Sequence, residues 1–271
     1  MSMEYQLPLH LEEHRGSLRA LLDDILTPER VARFSTVLNG RSRCVVPVFQ
    51  DTHHCHNISA VLRTADALGF QDALFVYQEE YRKARVHDTV ERGSSRWLSL
   101  RRASTVRQCA ERLKADGYAV ALVSLPSFFD SAAHYQHQLP MFSNMELSGE
   151  PFAEFLGGRR LAVVFGNESE GISPDWTPFA DLYCYVTMTG FVESLNLSVC
   201  AGILLARLRE IIDSGGLPCV QTSLVPNERE LLLDHWCVQS FPNAGQLVNI
   251  KYSILQEYFE FVSKGMYFRP F

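Results

Sequence analysis

The chain has 271 residues, of which 46% are apolar and 21% charged, an ordinary composition for a globular protein with one substantial core. Its seven cysteines include no C-x-x-C pair, which excludes a disulfide framework and a zinc site and fits a reducing, cytoplasmic environment. The acidic N-terminus is unlike a secretory signal, and no apolar run approaches the roughly 18 residues of a membrane span. We therefore expect a soluble, cytoplasmic protein without membrane contact.

The net charge of −6 argues mildly against a nucleic-acid partner, because neutralisation of phosphates supplies much of the affinity for RNA and DNA. The charge is unevenly distributed, however. Between residues 82 and 112, nine basic residues face three acidic ones, a local charge of +6. This basic segment is either a solvated charged face or a surface that contacts RNA. Its candidate RNA-binding residues are Arg82, Lys83, Arg85, Arg92, Arg96, Arg101 and Arg102.

The first half of the chain predicts an α/β fold. Apolar residues at helical spacing before and after Pro28 predict two short helices within an N-terminal helical extension, residues 1–43. Residues 44–49 and 73–77 are predicted core strands, and residues 58–69 a helix that ends at Gly69. A strand, a helix and a strand in succession favour a mostly parallel sheet flanked by helices.

Further elements follow in the same alternation. Residues 79–104 have no clear period and are predicted to be a loop with short structure, whereas 105–116 form a helix and 119–124 a strand. Residues 126–150 are predicted to be irregular, and 151–156 to form one or two helical turns. After a Gly-Gly-Leu-Pro hinge, residues 214–271 are predicted to be a C-terminal helical extension, in which Asn227 and Glu230 resemble a helix cap. The main domain is then residues 44–213.

Two strands and the loops that follow them predict a pocket. Residues 161–165 run into Gly166-Asn167-Glu168-Ser169-Glu170-Gly171, and residues 182–186 run into a second loop that ends at Gly190. Ser194 is the expected N-cap of the next helix. Ligands bind at the carboxyl ends of the strands in open α/β sheets, and glycines allow close approach of the backbone. No G-x-G-x-x-G follows a strand, and Ile172-Ser173 replaces the Lys-Ser/Thr of a phosphate loop, which excludes dinucleotide and ATPase readings.

These loops resemble the second and third motifs of the SpoU/TrmH family, which belongs to the SPOUT class of RNA 2′-O-ribose methyltransferases. The matching stretches are GNESEG and MTGFVESLNLSVCAG, and residues 57–69, NISAVLRTADALG, are similar to the first motif. Similarity around residues 27–30 and 93–97 points to the tRNA-modifying TrmH branch. The resemblance implies S-adenosyl-L-methionine as cofactor, a trefoil knot within residues 161–208 and a homodimer.

The resemblance also implies roles for particular residues. Arg63 is expected to stabilise the alkoxide that forms on the ribose, and Asn57 to orient Arg63 or a backbone loop. From the sequence alone, Asn57 could also be an ordinary helix N-cap. Glu168, Ser194 and Asn196 are expected near substrate and cofactor. The cofactor-binding positions, largely through main-chain atoms, are Val123, Ser124, Leu125, Gly166, Asn167, Val186, Met188 and Leu195.

Two functions stay open. The first is an enzyme that methylates RNA, with guanosine in the tRNA D loop as the implied target and ribosomal RNA as the second choice. The other is a non-catalytic RNA-binding or assembly protein on the same scaffold. The run His53-His54-Cys55-His56 raises the question of a metal, but four consecutive residues cannot all face one ion without strain, and we expect no metal.

Overall fold

The computed structural model describes residues 26–52, 54–77, 94–124, 139–215, 224, 226–240 and 267–270. Within these ranges, eight strands form one sheet in which every neighbouring pair is parallel. The strands are β1 (Val45–Gln50), β2 (Asp72–Val76), β3 (Ser99–Ala103), β4 (Tyr118–Val123), β5 (Met141–Ser143), β6 (Arg160–Phe165), β7 (Leu182–Tyr185) and β8 (Tyr267–Pro270). Their order across the sheet is β5-β7-β4-β6-β1-β2-β3-β8.

Helices connect the strands, as a parallel sheet requires. The α-helices among the described residues are α1 (Pro28–Asn39), α2 (Cys55–Ala67), α3 (Val106–Ala115), α4 (Glu150–Leu156), α5 (Leu197–Asp213) and α6 (Pro226–Gln239). Short 3-10 helices span Ser94–Trp97, Glu146–Ser148 and Pro174–Phe179. No described helix combines the length and the apolar character that crossing a membrane would require.

Both faces of the sheet are buried. On one face, α2 and α5 pack against each other and cover a core that includes Phe49, Phe75 and Phe165. On the other face, α3 and the 3-10 helix Pro174–Phe179 cover a core that includes Val48 and Val164. Parallel strands buried on both sides read as continuous apolar runs, which explains why most of them are visible in the sequence.

The prediction of a mostly parallel α/β sheet with flanking helices is confirmed. The predicted strands at 44–49, 73–77, 119–124, 161–165 and 182–186 and the helix at 105–116 match observed elements to within one residue at each end. Residues 79–104 were predicted to be a loop with short structure, and of these Ser94–Trp97 form a 3-10 helix and Ser99–Ala103 form β3. The stretch 126–150, predicted to be irregular, contains β5 and the first residue of α4. The helix predicted before Pro28 falls on residues 1–25, which lie outside the described residues, as do residues 241–266 of the predicted C-terminal helical extension.

Three predicted helix caps were also wrong, because each helix begins at a different residue. His54 precedes α2, so Asn57 lies inside its first turn. Asn196, rather than Ser194, is the N-cap of α5, and its side-chain oxygen accepts a hydrogen bond from the Ser198 backbone N–H. Helix α6 begins at Pro226, so Asn227 is already helical.

Residues from both predicted extensions pack against the sheet domain at an aromatic cluster. Trp236 of α6 contacts Phe34 of α1 and Trp97, with ring centroids 6.1 and 6.3 Å apart. Its indole N–H donates to the backbone oxygen of Trp97 at 3.1 Å, and the Arg41 guanidinium lies 5.2 Å from its ring centroid. The predicted domain boundaries at residues 43 and 213 therefore run between residues that contact each other. The division into a main domain and two extensions stays a prediction.

Replacement of Trp236 by alanine should lower the free energy of unfolding by about 3–5 kcal/mol, because it empties a fully buried aromatic position. Trp236→Phe is the matched control. It retains a ring and loses the hydrogen bond to Trp97, which should cost about 1 kcal/mol beyond any loss of packing. Urea unfolding followed by circular dichroism measures both. Wild-type stability of the alanine variant would show that α6 does not hold the sheet domain together.

Candidate functional site

The candidate site lies where the parallel strands end, at the carboxyl edge of the sheet. Ser124 follows β4, Gly166 follows β6 and Val186 follows β7, and β4 lies between β6 and β7. The Ser124 N–H donates to the oxygen of Cys184 at 3.1 Å, which ties the end of β4 to β7. Three loops that are distant in sequence thus leave the sheet together.

The loop after β6 is closed by contacts within it. The Asn167 N–H donates to the Gly171 oxygen at 2.8 Å, and the Gly171 N–H donates back to the Asn167 oxygen at 2.9 Å. A Cβ atom at Gly166 would overlap the carbonyl of Gly171, so only glycine fits there. Gly171 has a φ of 73°, a left-handed conformation that glycine adopts without strain. The two glycines that bound the motif are therefore needed for its shape.

The buried side chain of Asn167 fixes this loop to the loop after β1. Its Nδ2 donates to the backbone oxygen of Asp51 at 3.0 Å, and its Oδ1 accepts from the backbone N–H and the hydroxyl of Ser169, both at 2.8 Å. The polar atoms of this side chain are therefore engaged within the protein and hold the loop in position. Cofactor binding by Asn167, expected largely through its main chain, stays a prediction.

Asn57 joins the three motif segments through its side-chain amide. Its Nδ2 donates to Glu168 Oε1 at 3.0 Å, and its Oδ1 accepts from Asn196 Nδ2 at 3.0 Å. The helical position of Asn57 on α2 therefore places one amide between the loop after β6 and the start of α5. Glu168 and Asn196 are exposed, and Asn57 is half-buried. Asn57 therefore holds the exposed carboxylate of Glu168 next to the start of α5.

Ser194 and Arg63 lie apart from this hydrogen-bonded chain. Ser194 is exposed in the loop before α5, two residues before the Asn196 cap. Arg63 is exposed on α2, and no hydrogen bond or ion pair joins it to another described residue. It is six residues beyond Asn57, which is roughly 9 Å along the helix and about 120° around it. Asn57 therefore bonds Glu168 and Asn196 rather than orienting Arg63.

The predicted cofactor-binding residues gather at one place. Val186 belongs to the buried core, and Val123 and Leu195 are half-buried against that same core. Met188 and Gly166 are half-buried in the two loops. Val123, Val186 and Leu195 are apolar, and an apolar lining suits a flat aromatic ring better than a cluster of charges does. Leu125 lies outside the described residues.

The basic segment is divided by the structure. Arg96 is exposed, with its guanidinium 5.7 Å from the Trp97 ring centroid. Arg101 and Arg102 are both on β3, and Arg101 forms an ion pair with Asp72 at 3.6 Å with only 13% of its side chain exposed. Asp72 also contacts Arg43, at 3.3 Å. A half-buried guanidinium that already has a carboxylate partner is poorly placed for RNA contact, so the structure gives no support to the predicted role of Arg101. Arg82, Lys83, Arg85 and Arg92 lie outside the described residues.

Gln50 and Asp51 support the site and were not identified from the sequence. Gln50 Oε1 accepts a hydrogen bond from the Ser173 N–H at 2.9 Å, and Asp51 has a positive φ of 48°. Asp51 also donates its N–H to the oxygen of Val76 at 3.0 Å. A polar Gln-Asp pair directly after an apolar strand was the available signal, since such residues commonly occupy turns and tolerate left-handed backbone.

Metal and thiol chemistry have little support at this site. In the described part of the chain, no group of three or more His, Cys, Asp or Glu side chains is placed to hold a metal ion. His53 lies outside those residues. Burial raises the pKa of the Cys200 thiol to about 11, so this thiol near the start of α5 stays protonated at neutral pH and is a weak nucleophile.

Comparison with known proteins agrees with this geometry. The profile of the SpoU rRNA Methylase family matches residues 45–206, which include β1 to β7 and most of α5. A tRNA (guanosine(18)-2'-O)-methyltransferase of Borreliella burgdorferi is 31% identical over 194 residues, which are 70% of this chain and 79% of that protein. The Escherichia coli enzyme of the same name is 24% identical, over 77% of this chain and 82% of its own length.

The fold is shared with a solved structure. The crystal structure of a TrmH/SpoU tRNA modifying enzyme from A. aeolicus superimposes with a TM-score of 0.60 at 23% identity, covering 78% of this chain and 96% of that one. The family match extends over more than half of the chain, and its motifs form the hydrogen-bonded frame around Asn57. The chain belongs to the SpoU rRNA Methylase family of methyltransferases.

Proposed function

We propose that the protein is an S-adenosylmethionine-dependent RNA 2′-O-ribose methyltransferase that acts on tRNA, at a guanosine of the D loop. The observation that carries this proposal is the chain of hydrogen bonds from Glu168 through Asn57 to Asn196. It assembles the residues of all three family motifs at the carboxyl edge of the sheet. Relatives named for guanosine methylation of tRNA support the choice of RNA.

The residues at the loop ends fit S-adenosylmethionine. The Gly166–Gly171 approach keeps side chains out of the space beside the loop backbone, and Val123, Val186 and Leu195 offer apolar surfaces for an adenine ring. When bound, the cofactor supplies an electrophilic methyl group on a sulfonium. The chain itself must hold the ribose 2′-oxygen in line with that methyl group and favour loss of the hydroxyl proton.

Arg63 and Glu168 are the charged groups that we assign to this step. A guanidinium is essentially always protonated, so Arg63 acts by stabilising the negative charge that develops on the ribose oxygen and not as a free base. Glu168 is held by Asn57 and has an exposed carboxylate that can accept hydrogen bonds from the nucleoside. Asn196 fixes the start of α5, and the exposed Ser194 hydroxyl lies in the loop just before it.

Binding of the cofactor should be independent of metal, because the fitting groups are backbone atoms and apolar side chains. Isothermal titration calorimetry with S-adenosylmethionine or its demethylated product, in buffer with and without EDTA, measures this directly. The dissociation constants should agree. Loss of binding on chelation would contradict the metal-free site, and absence of binding in both buffers would favour the non-catalytic RNA-binding alternative.

Methyl transfer is tested by incubating the protein and S-adenosylmethionine with an unmodified tRNA transcript and locating the methylated nucleoside by mass spectrometry. We expect a single 2′-O-methylguanosine in the D loop. A ribosomal RNA fragment is the parallel substrate. Preferential methylation of that fragment would support the ribosomal alternative, and methylation of neither RNA would contradict the proposed enzyme.

Variants of Arg63 serve as controls in the same assay. Arg63→Ala should reduce the methylation rate by about 100- to 1000-fold, the usual effect of removing a group that stabilises charge only in the transition state. The exposed side chain leaves no cavity, so stability and cofactor binding should change little. Arg63→Lys should be nearly as inactive, because it lacks the planar fork of the guanidinium. Near-wild-type rates would show that Arg63 is not catalytic.

The family resemblance further supports a homodimer and a trefoil knot within residues 161–208. Apolar side chains are exposed in the loop before α5 and on its first turn, at Phe191, Val192 and Val199, and exposed apolar patches commonly mark contacts between proteins. We propose that a second copy of the chain covers them. Analytical ultracentrifugation should give twice the mass of the chain, and Phe191→Ser should shift the equilibrium towards the monomer. A wild-type monomer at micromolar concentration would contradict the dimer.

A further inference from the structure

Arg101 and Arg102 are consecutive residues of β3, but their surroundings differ. Arg101 lies beside Leu74 and pairs with the buried carboxylate of Asp72. Arg102 lies beside Phe75, on the face of the sheet that α2 and α5 cover. Successive residues of a strand point to opposite faces, so the two guanidinium groups lie on opposite sides of the sheet.

Arg102 lies against an aromatic ring, and no ion pair joins it to a carboxylate among the described residues. Its guanidinium carbon lies 5.4 Å from the ring centroid of Tyr77, and the residue is only partly exposed. Within that part of the chain, its buried Nη2 atom and the buried hydroxyl of Tyr77 have no hydrogen-bond partner. Buried polar groups are nearly always hydrogen-bonded, and an unsatisfied charged donor is costly. Two adjacent groups that the described residues leave unsatisfied are therefore available to an acceptor from a ligand.

A short series of contacts connects this pair to the catalytic loop. Tyr77 directly follows β2, and the oxygen of the preceding residue, Val76, accepts the Asp51 N–H at 3.0 Å. The Asp51 oxygen in turn accepts Asn167 Nδ2 at 3.0 Å, and Asn167 precedes Glu168 in the motif. Arg102, Tyr77 and Glu168 thus lie along the same carboxyl edge of the sheet.

The electrostatic surroundings of Tyr77 agree with this placement. Burial raises the pKa of its hydroxyl above the usual range, and the Arg102 cation opposes that rise. The carboxylates of Asp51 and Glu168 raise the same pKa further, which requires them to lie within electrostatic reach of the ring. The guanidinium of Arg102 is therefore a positive charge on the flank of the acidic Glu168 loop.

We propose that Arg102, supported by the Tyr77 ring, binds a phosphate group of the RNA strand next to the nucleotide that is methylated. An RNA strand that brings a ribose to Glu168 and follows this edge would carry a neighbouring phosphate to Arg102, and a guanidinium fork matches two phosphate oxygens. This assignment rests on the proposed function, since it takes RNA as the substrate. Arg101 is not part of this contact, because it lies on the opposite face of the sheet and pairs there with Asp72, which Arg43 also contacts.

The test compares Arg102→Gln with Arg101→Gln in filter binding of an unmodified tRNA transcript at a series of KCl concentrations. Arg102→Gln should weaken binding by about tenfold, the usual effect of losing one charged hydrogen bond. It should also reduce the slope of log K against log salt by about one, as loss of one phosphate contact does. Arg101→Gln should leave both quantities at wild-type values.

In thermal unfolding without RNA, Arg101→Gln should have the larger effect of the two variants. Arg102→Gln should leave Tm within a few degrees of the wild type, because it removes a donor that lacks an acceptor. Arg101→Gln should lower Tm more, because it takes a counter-ion from a carboxylate with 3% exposure. Equal RNA affinity and salt slope for Arg102→Gln and wild type would overturn the assignment.

A third measurement separates this assignment from the proposed function. Inorganic phosphate should raise the Tm of the wild-type protein more than that of Arg102→Gln. If phosphate raises the two Tm values by these different amounts but no RNA is methylated, Arg102 binds an anion and the protein is not the proposed enzyme. Methylation by the wild type, with no effect of Arg102→Gln on binding or on the phosphate shift, would retain the enzyme and reject the site.

Discussion

The site depends on one side-chain amide. Asn57 accepts a hydrogen bond from a residue 139 positions away and donates one to a residue 111 positions away, both at 3.0 Å. An amide is suited to this task because it carries a donor and an acceptor on the same planar group. Aspartate, leucine or serine at this position would lose one or both contacts, and the loop with Glu168 would no longer be joined to the start of α5.

The strands and the position of the site follow from the sequence because their causes are local. Apolar runs that end in glycine or polar turns indicate buried parallel strands, and the carboxyl ends of such strands share one edge of the sheet. Strand β3 was missed because its sequence, Ser-Leu-Arg-Arg-Ala, carries two charges in five residues. Arg101 forms an ion pair with Asp72, and the guanidinium of Arg102 lies against the Tyr77 ring. Neither partner is near β3 in the sequence.

The helix starts at α2 and α5 show a different limit. Ser194 and Asn57 are good capping residues, but the sequence does not say which of several polar residues the chain uses. The N-cap of α5 is Asn196, which also donates a hydrogen bond to Asn57. The residue that caps this helix therefore also makes a contact with a distant part of the chain. The motif match named Asn57, Glu168 and Asn196 as one group, whereas the hydrogen bonds that join them required coordinates.

The sheet also imposes an order on its own assembly. Strand β3 pairs with β2 on one side and with β8 on the other, where Leu100 lies beside Tyr267. On a ribosome, the outer edge of β3 can therefore be covered only after about 165 further residues have been synthesised. An uncovered strand edge is a template for pairing with other chains, and the charges of Arg101 and Arg102 disfavour such pairing while it is exposed.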